Sequence, residues 1–235
     1  MGVAAGRVPS PELARRATVR CADPSLICAL PAGDSSVDDM NNETDADFAG
    51  AGQVILLNGA SSSGKSSIAR QLLIDLDRPF FHMSVDMFGA MRSQVRTREL
   101  DGDALADTLR RTRAGFHRAV AAMASAGNNV VMDHVLSEPW RLRDCLAVTI
   151  GIDVIFVGVH CPLDELRRRE EQRGDRLPGT AAEQAGVVHA HGIYDLEVDT
   201  GRNATEVCSA RIKTLIDQGR SVRAFDRLRA GEEHD

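Results

Sequence analysis

The strongest chemical signal in the sequence is a run of small residues, bounded by glycines, at positions 59–66. It reads Gly-Ala-Ser-Ser-Ser-Gly-Lys-Ser and fits the phosphate-loop pattern of glycine, four residues and Gly-Lys-Ser. Glycines let the backbone curl so that successive N–H groups face one anion, and Lys65 adds a positive charge at the β- and γ-phosphates. We therefore predict that this loop binds ATP. The predicted nucleotide-binding residues are Gly59, Ala60, Ser61, Ser62, Ser63, Gly64, Lys65, Ser66 and Ser67.

Two aspartates follow predicted strands, at the sheet edge where α/β proteins bind their ligands. Asp86 is placed to accept the proton of an attacking hydroxyl or to orient it, and an N-cap for the following helix is the alternative. Asp133 follows three apolar residues in a loose Walker-B pattern. Together with the Ser66 hydroxyl it predicts a Mg²⁺ site, whereas an aspartate that only starts a turn is the rival interpretation.

A cluster of arginines lies between positions 163 and 177. A charge run is usually a solvated helix face, and we expect the arginines at 167–169 to lie mostly on the surface. Arg173 and Arg176, however, stand in glycine-bearing sequence. Such sequence suits a lid that closes over phosphates and delivers guanidinium groups to developing charge. We therefore predict that at least one of these two arginines acts in catalysis.

The elements that must position these residues alternate between strand and helix. A short apolar strand precedes the phosphate loop, and a helix from Lys65 to Leu76 follows it. Apolar runs predict further strands at 80–85, 130–132, 154–159 and 196–198. Apolar residues at helical spacing predict helices at 103–125, 163–172, 181–190 and 207–216. This alternation predicts an α/β fold, a three-layer P-loop kinase fold with a five-stranded parallel sheet.

The composition limits the classes of partner that the protein is expected to bind. The formal net charge of −6 argues against nucleic acid, because backbone phosphates demand a basic surface. No apolar run approaches the length of a membrane span. Five cysteines, odd in number and without metal-type spacing, favour reduced thiols over a disulfide framework. The sequence therefore predicts a cytoplasmic protein with small-molecule partners, and it leaves the oligomeric state open.

The sequence divides into three parts. Residues 1–50 are rich in alanine, serine and acidic residues, and we predict a disordered N-terminal extension there. Met40 lies just ahead of the first strand, so whether residues 1–39 belong to the native protein stays open. Residues 51–219 form the predicted kinase domain. Residues 220–235 are a polar C-terminal tail that we expect to fray.

Over roughly residues 53–217 the chain resembles the chloramphenicol phosphotransferase family of P-loop kinases. The resemblance rests on segments 55–59, 85–86, 130–133, 153–161, 173–176 and 194–200, with Ala182, Gln184, Val188 and His189. It implies a small kinase that phosphorylates an antibiotic hydroxyl with ATP. It also implies that Asp86 is the base and that Arg173 and Arg176 are lid arginines.

One segment departs from the family pattern. The segment 87–104 follows the predicted base and should line the acceptor pocket, yet this segment is short and highly charged. Candidates for an apolar acceptor wall, each of which could equally belong to the core, are Met87, Phe88, Met91 and Trp140. The departure leaves a kinase of another metabolite, such as a nucleoside, sugar nucleotide or shikimate-like compound, as an alternative. A nucleotide-binding module without turnover is a second alternative.

Overall fold

The computed structural model describes residues 50–173, 179–219 and 223–232. Its centre is a five-stranded sheet with the order β2-β3-β1-β4-β5, in which every neighbouring pair is parallel. The strands are β1 (Val54–Asn58), β2 (Phe80–Ser84), β3 (Asn129–His134), β4 (Val154–His160) and β5 (Leu196–Asp199). The predicted α/β fold with a five-stranded parallel sheet is therefore confirmed.

The described residues form nine helices, and they cover both faces of the sheet. They are α1 (Lys65–Asp75), α2 (Val85–Ala90), α3 (Gln94–Arg98), α4 (Gly102–Ser125), α5 (Pro139–Val148), α6 (Leu163–Arg173), α7 (Thr180–Ala185), α8 (Thr205–Asp217) and α9 (Ala224–Glu232). Among these residues no helix is long and apolar enough to cross a membrane.

Alternation along the buried strands creates the two cores. On one face, Leu57 and its neighbours pack against Ile68 of α1 and Ile212 of α8. On the other face, Leu56 and its neighbours pack against Phe116 of α4 and against residues of α5 and α9. β1 is buried along its whole length, so the phosphate loop that follows it starts from the core.

Two predictions about the last third of the chain are wrong. The helix predicted at 181–190 ends at Ala185, and turns occupy most of the remainder. The tail expected to fray contains α9, whose Phe225 is 1% exposed and lies 5.1 Å from the ring of Phe156. Arg223 ties this helix to the sheet through Asp153 at 3.0 Å. A single buried aromatic in polar sequence leaves too weak a periodic signal for prediction.

The chain separates into two units, residues 1–46 and 47–235. The first unit lies outside the described residues, so the N-terminal extension stays a prediction. Within the described residues the cysteines Cys145, Cys161 and Cys208 are free thiols, as expected.

Candidate active site

The phosphate loop joins the end of β1 to the start of α1. A Cβ atom at Gly59 would collide with the carbonyl oxygen of Val159, so only glycine fits there. Gly64 has φ of +90°, and Ser62 has φ of 61°, which is unusual for a residue with a side chain. This conformation turns backbone N–H groups inward, next to the N-terminus of an 11-residue helix. The loop therefore has the geometry of an anion site.

The Lys65 ammonium lies inside the loop rather than in solvent. Its Nζ donates to the carbonyl oxygens of Gly59 at 2.9 Å and Ala60 at 2.7 Å, and the residue is only 6% exposed. The Ser61 N–H donates to the Gln184 Oε1 of α7 at 2.7 Å. An incoming phosphate would exchange with both sets of contacts, because it seeks the same donors.

α7 is itself held in place by a buried carboxylate. Glu170 of α6 accepts hydrogen bonds from the backbone N–H groups of Gly179 at 2.8 Å and Ala181 at 2.9 Å. These bonds pair two donors at the start of the helix. They fix the element that brings Gln184 to the phosphate loop, a contact between residues far apart in sequence.

Ser66 and Asp133 form the candidate metal site. The Ser66 hydroxyl donates to Asp133 Oδ2 at 2.5 Å, and Lys65 Nζ lies 4.0 Å from Oδ1. Burial raises the pKa of Asp133, but the neighbouring His82, Lys65 and Ser66 outweigh it and lower the pKa overall. His82 Nε2 lies 3.8 Å from Oδ2. An ionised carboxylate beside a hydroxyl is a fitting pair of oxygen ligands for Mg²⁺.

Sequence reasoning missed His82, which lies in the middle of β2. The strand alternation places its side chain on the same face of the sheet as Asp133, since Ser84, two residues later in β2, pairs in register with Asp133 of β3. That pairing depends on the order of the strands in the sheet.

Asp86 lies in the first turn of α2, and it lines a cavity of about 640 Å³ together with the phosphate loop. The Ser84 side chain accepts the Asp86 N–H at 3.2 Å, so Ser84 is the N-cap of α2. The alternative that Asp86 caps this helix is therefore wrong. The cavity is lined by Ser61, Ser62, Gly64, Lys65, Ser66, Ser67, Arg70, Val85, Asp86, Asp133, Val135, Arg169, Gln172, Thr200, Asn203, Ala204 and Thr205.

Among the arginines of α6, Arg169 departs from the expected surface position. It lines the cavity, and it donates to the Thr200 carbonyl at 2.9 Å and to Glu165 at 2.6 Å. Arg167 and Arg168 have side chains that are 57% and 56% exposed, as expected. The Arg173 side chain and all of Arg176 lie outside the described residues, so the catalytic lid stays a prediction.

The loop after β5 forms the far wall of the cavity. Thr200 Oγ1 donates to the Ser63 carbonyl at 2.8 Å, which ties this wall to the phosphate loop. Asn203 and Thr205 lie further along the same wall. Sequence reasoning gave these residues no role, because polar loop residues carry no periodic signal.

A buried hydrogen-bond network holds the end of β1 at Asn58, next to the phosphate loop. The Asn58 amide donates to Tyr194 Oη at 2.8 Å and to the Val188 carbonyl at 2.7 Å. Its Oδ1 accepts the Leu136 N–H at 2.9 Å. Gly158 leaves the space that the Tyr194 ring needs, since a Cβ there would lie 2.8 Å from the ring.

The predicted acceptor wall is assembled only in part. Met87 and Met91 are 56% and 76% exposed, and they line neither this cavity nor the second one, beside Trp140. Phe88 packs on the core, with its ring 5.6 Å from that of Phe116. Trp140 lines a second cavity, of about 600 Å³. Trp140 is thus the one residue of the four that lines either of these two cavities.

His134 is fully buried on the opposite face of the sheet from Asp133, with its ring 5.6 Å from that of Phe116. His117 Nδ1 lies 2.6 Å from Asp144 Oδ2, and His117 Nε2 lies 2.8 Å from His134 Nε2. A carboxylate only accepts, so His117 carries its proton on Nδ1 and His134 donates from Nε2. His134 Nδ1 then remains as a buried lone pair without a partner among the described residues.

The protein has a P-loop kinase fold. A phosphate loop, a candidate metal-binding pair and a carboxylate lie around one cavity. The model of the family described as "Chloramphenicol phosphotransferase-like protein" matches residues 52–217. The chain therefore belongs to the chloramphenicol phosphotransferase-like family.

Known proteins agree with this assignment. Two strains of Mycobacterium tuberculosis carry a "Putative O-phosphotransferase" that is 31% identical over 198 residues, which is 76% of this chain and 88% of the relative. The fold is similar to that of the M. tuberculosis APS kinase CysC in complex with AMPPNP and APS, with a TM-score of 0.53, 18% identity, and coverage of 72% and 99% of the two chains. It is also similar to that of Acinetobacter baumannii shikimate kinase in complex with shikimate, with a TM-score of 0.53, 12% identity, and coverage of 73% and 96%.

Proposed function

We propose that the protein is an ATP-dependent O-phosphotransferase that transfers the γ-phosphoryl group to a hydroxyl of a small molecule. The observation that carries this proposal is that the phosphate loop, the Ser66–Asp133 pair and Asp86 line the same cavity. Membership of a family described by phosphotransferase activity supports the same reaction, as does the printed name of the M. tuberculosis relatives.

Each charged residue has a distinct role in this proposal. The Lys65 ammonium leaves its loop carbonyls and binds the β- and γ-phosphates. Asp86 orients the acceptor hydroxyl and takes its proton late, because the transition state of phosphoryl transfer is loose. Ser66 and Asp133 would hold a magnesium ion, which when bound neutralises phosphate charge. Arg173 and Arg176 complete the site as lid arginines.

The acceptor is the less determined half of the proposal. An antibiotic hydroxyl, such as one of chloramphenicol, is the acceptor that the family description supports. Another small metabolite is the alternative, and the charged side chains around the second cavity favour it. The free thiols support a reducing, cytoplasmic location for the reaction.

The test is transfer of labelled γ-phosphate from ATP to a panel of hydroxylated acceptors. We expect Lys65→Ala to lower the rate by about 10²–10³. Asp86→Asn should lower it by about 10²–10⁴ while Mg·ATP binds normally, because the residue meets the hydroxyl rather than the phosphates. Asp77→Asn is the matched control, since Asp77 is an exposed partner of Lys213 and lies outside the cavity.

Three results would contradict the proposal. An unchanged single-turnover rate in Asp86→Asn would remove this residue from the mechanism. Near-normal transfer by Lys65→Ala would refute the role of the phosphate loop. ATP binding without ADP release over the whole acceptor panel would favour a nucleotide-binding module without turnover.

A further inference from the structure

A second cavity, of about 600 Å³, lies beside the first half of α4 and the start of α5. Its volume lies in the range of small-molecule sites. It is lined by Asp103, Ala106, Asp107, Leu109, Arg110, Arg113, Glu138 and Trp140. α2, which carries Asp86, packs on α4 beside this cavity, since the Phe88 ring lies 5.6 Å from the ring of Phe116, one helical turn from Arg113. The negative charge of Asp86 accordingly opposes the lowering of the Arg113 pKa.

Arg113 is a half-buried cation whose charge nothing in the described chain neutralises by direct contact. The Arg113 side chain makes no hydrogen bond and no ion pair with any residue in the described ranges. Its pKa is lowered, first by burial and then by the nearby positive charges of Arg141 and Arg92. Removing an unpaired guanidinium from water is costly, and two neighbouring cations increase that cost. An anion bound at this point would relieve it.

Three carboxylates line the cavity. Asp103 lies exposed in the first turn of α4, where the helix N-terminus stabilises its charge, and the other two are engaged elsewhere. Glu138 pairs with Arg141 and accepts the Trp140 Nε1–H at 2.8 Å. Asp107 pairs with Arg111 on the outer side of α4. The negative charge of Glu138 acts to raise the pKa of Arg113, although the two side chains form no ion pair in the described structure. The protein therefore surrounds Arg113 with charges but leaves its donor atoms free.

Two further guanidinium groups near Arg113 have unused donor atoms. The Nε atoms of Arg92 and Arg141 are buried and have no hydrogen-bond partner among the described residues. Arg92 lies in the charged segment 87–104 that departs from the family pattern. Guanidinium groups present donors in a planar fork that matches carboxylate and phosphate oxygens.

We propose that this second cavity receives the acceptor, and that the acceptor carries an oxyanion, a carboxylate, phosphate or sulfate, which Arg113 binds with support from Arg92. This inference rests on the phosphotransferase function and narrows its substrate class. Arg113 would hold the anionic end of the molecule, so that a hydroxyl elsewhere on it reaches Asp86. Trp140, with the Arg110 guanidinium 5.0 Å from its ring centre, forms a flat wall beside the bound molecule.

The test separates oxyanion binding from catalysis. The protein is saturated with Mg·AMPPNP, so that the phosphate loop is filled, and sulfate or benzoate is titrated while thermal stability is recorded. Sulfate represents tetrahedral oxyanions and benzoate represents planar carboxylates. Stabilisation of the wild type by at least one of them, at least about tenfold weaker in Arg113→Met, is the expected result.

Two further variants make the result specific. Arg113→Lys keeps the charge but not the planar fork, and it should bind with intermediate affinity. Arg96→Met should bind as the wild type does, since Arg96 is exposed, pairs with Glu99 and lines neither cavity. If Arg113→Met fails to fold, Arg113→Lys against Arg96→Met remains the decisive comparison.

The outcomes distinguish this inference from the function on which it rests. Failure of both probes to stabilise the wild type would overturn the oxyanion site, and so would equal binding by wild type and Arg113→Met. Equal phosphorylation of neutral chloramphenicol by both proteins would uphold the phosphotransferase and overturn the anionic acceptor. If oxyanion binding depends on Arg113 but no acceptor is phosphorylated, the oxyanion site would be confirmed and its role as an acceptor site would be refuted.

Discussion

The buried imidazole of His134 should make the stability of this protein depend on pH. Burial lowers the pKa of His134 well below its usual value, and the nearby His117, Arg141, Arg113 and Lys65 lower it further. Protonation would place an N–H at Nδ1, where the described structure offers no acceptor. The folded protein therefore keeps this imidazole neutral, whereas the unfolded chain protonates it below a pH of about 6.5.

The sign and size follow from this difference. The unfolded state binds the extra proton, so stability is fully present above the unfolded pKa and is lost as the pH falls below it. If His134 stays neutral throughout, the loss between pH 7 and pH 5 is about 2 kcal/mol. In a domain of this size, that loss lowers the melting temperature by about 4–8 °C. His117 acts in the same direction, since burial lowers its pKa, but its bond to Asp144 opposes the shift.

Calorimetric melting temperatures of wild type and His134→Asn at pH 7 and pH 5 test the argument. The substitution lowers stability at pH 7 but should make the fall toward pH 5 about 4–8 °C smaller than in the wild type. Phe116→Leu, in the same cluster, is the control, because it destabilises the core without removing a titrating group. An equal fall in wild type and His134→Asn would refute the claim that the fold holds this imidazole neutral.

Two further predictions concern the fold. Gly158→Ala should destabilise the domain by about 1–3 kcal/mol, because the new Cβ meets the Tyr194 ring at 2.8 Å and disturbs its bond to Asn58. Gly231→Ala in α9 is the control, because a Cβ there meets nothing within 4 Å, and it should leave the melting temperature unchanged or raised. An equal loss of stability in the two variants would contradict the packing argument. A chain that starts at Met40 should keep its melting temperature and activity, since the removed segment ends ahead of the first strand at Val54, and a large fall in melting temperature would show that it packs on the domain.

Local sequence was sufficient for the five strands and for the phosphate loop. A tight anion-binding loop requires glycines at set positions, and buried strands require short apolar runs, so both are visible in neighbouring residues. This is why Gly59, Lys65 and the five strands were predicted from the residues alone. The final helix was missed for the complementary reason, because its burial depends on Phe225 reaching Phe156 across the fold.

Sequence alone determined that the chain carries a phosphate loop after the first strand of a parallel sheet, and that Asp86 and Asp133 each follow a strand. Only the tertiary structure decided which groups meet there. The register of β1 and β3 places Leu57 beside Asp133, and thereby brings the carboxylate to Ser66. Folding also brings Gln184 to the loop and Arg113 within electrostatic reach of Asp86. Such contacts join residues distant along the chain, and they depend on strand order and helix packing, which no local pattern records.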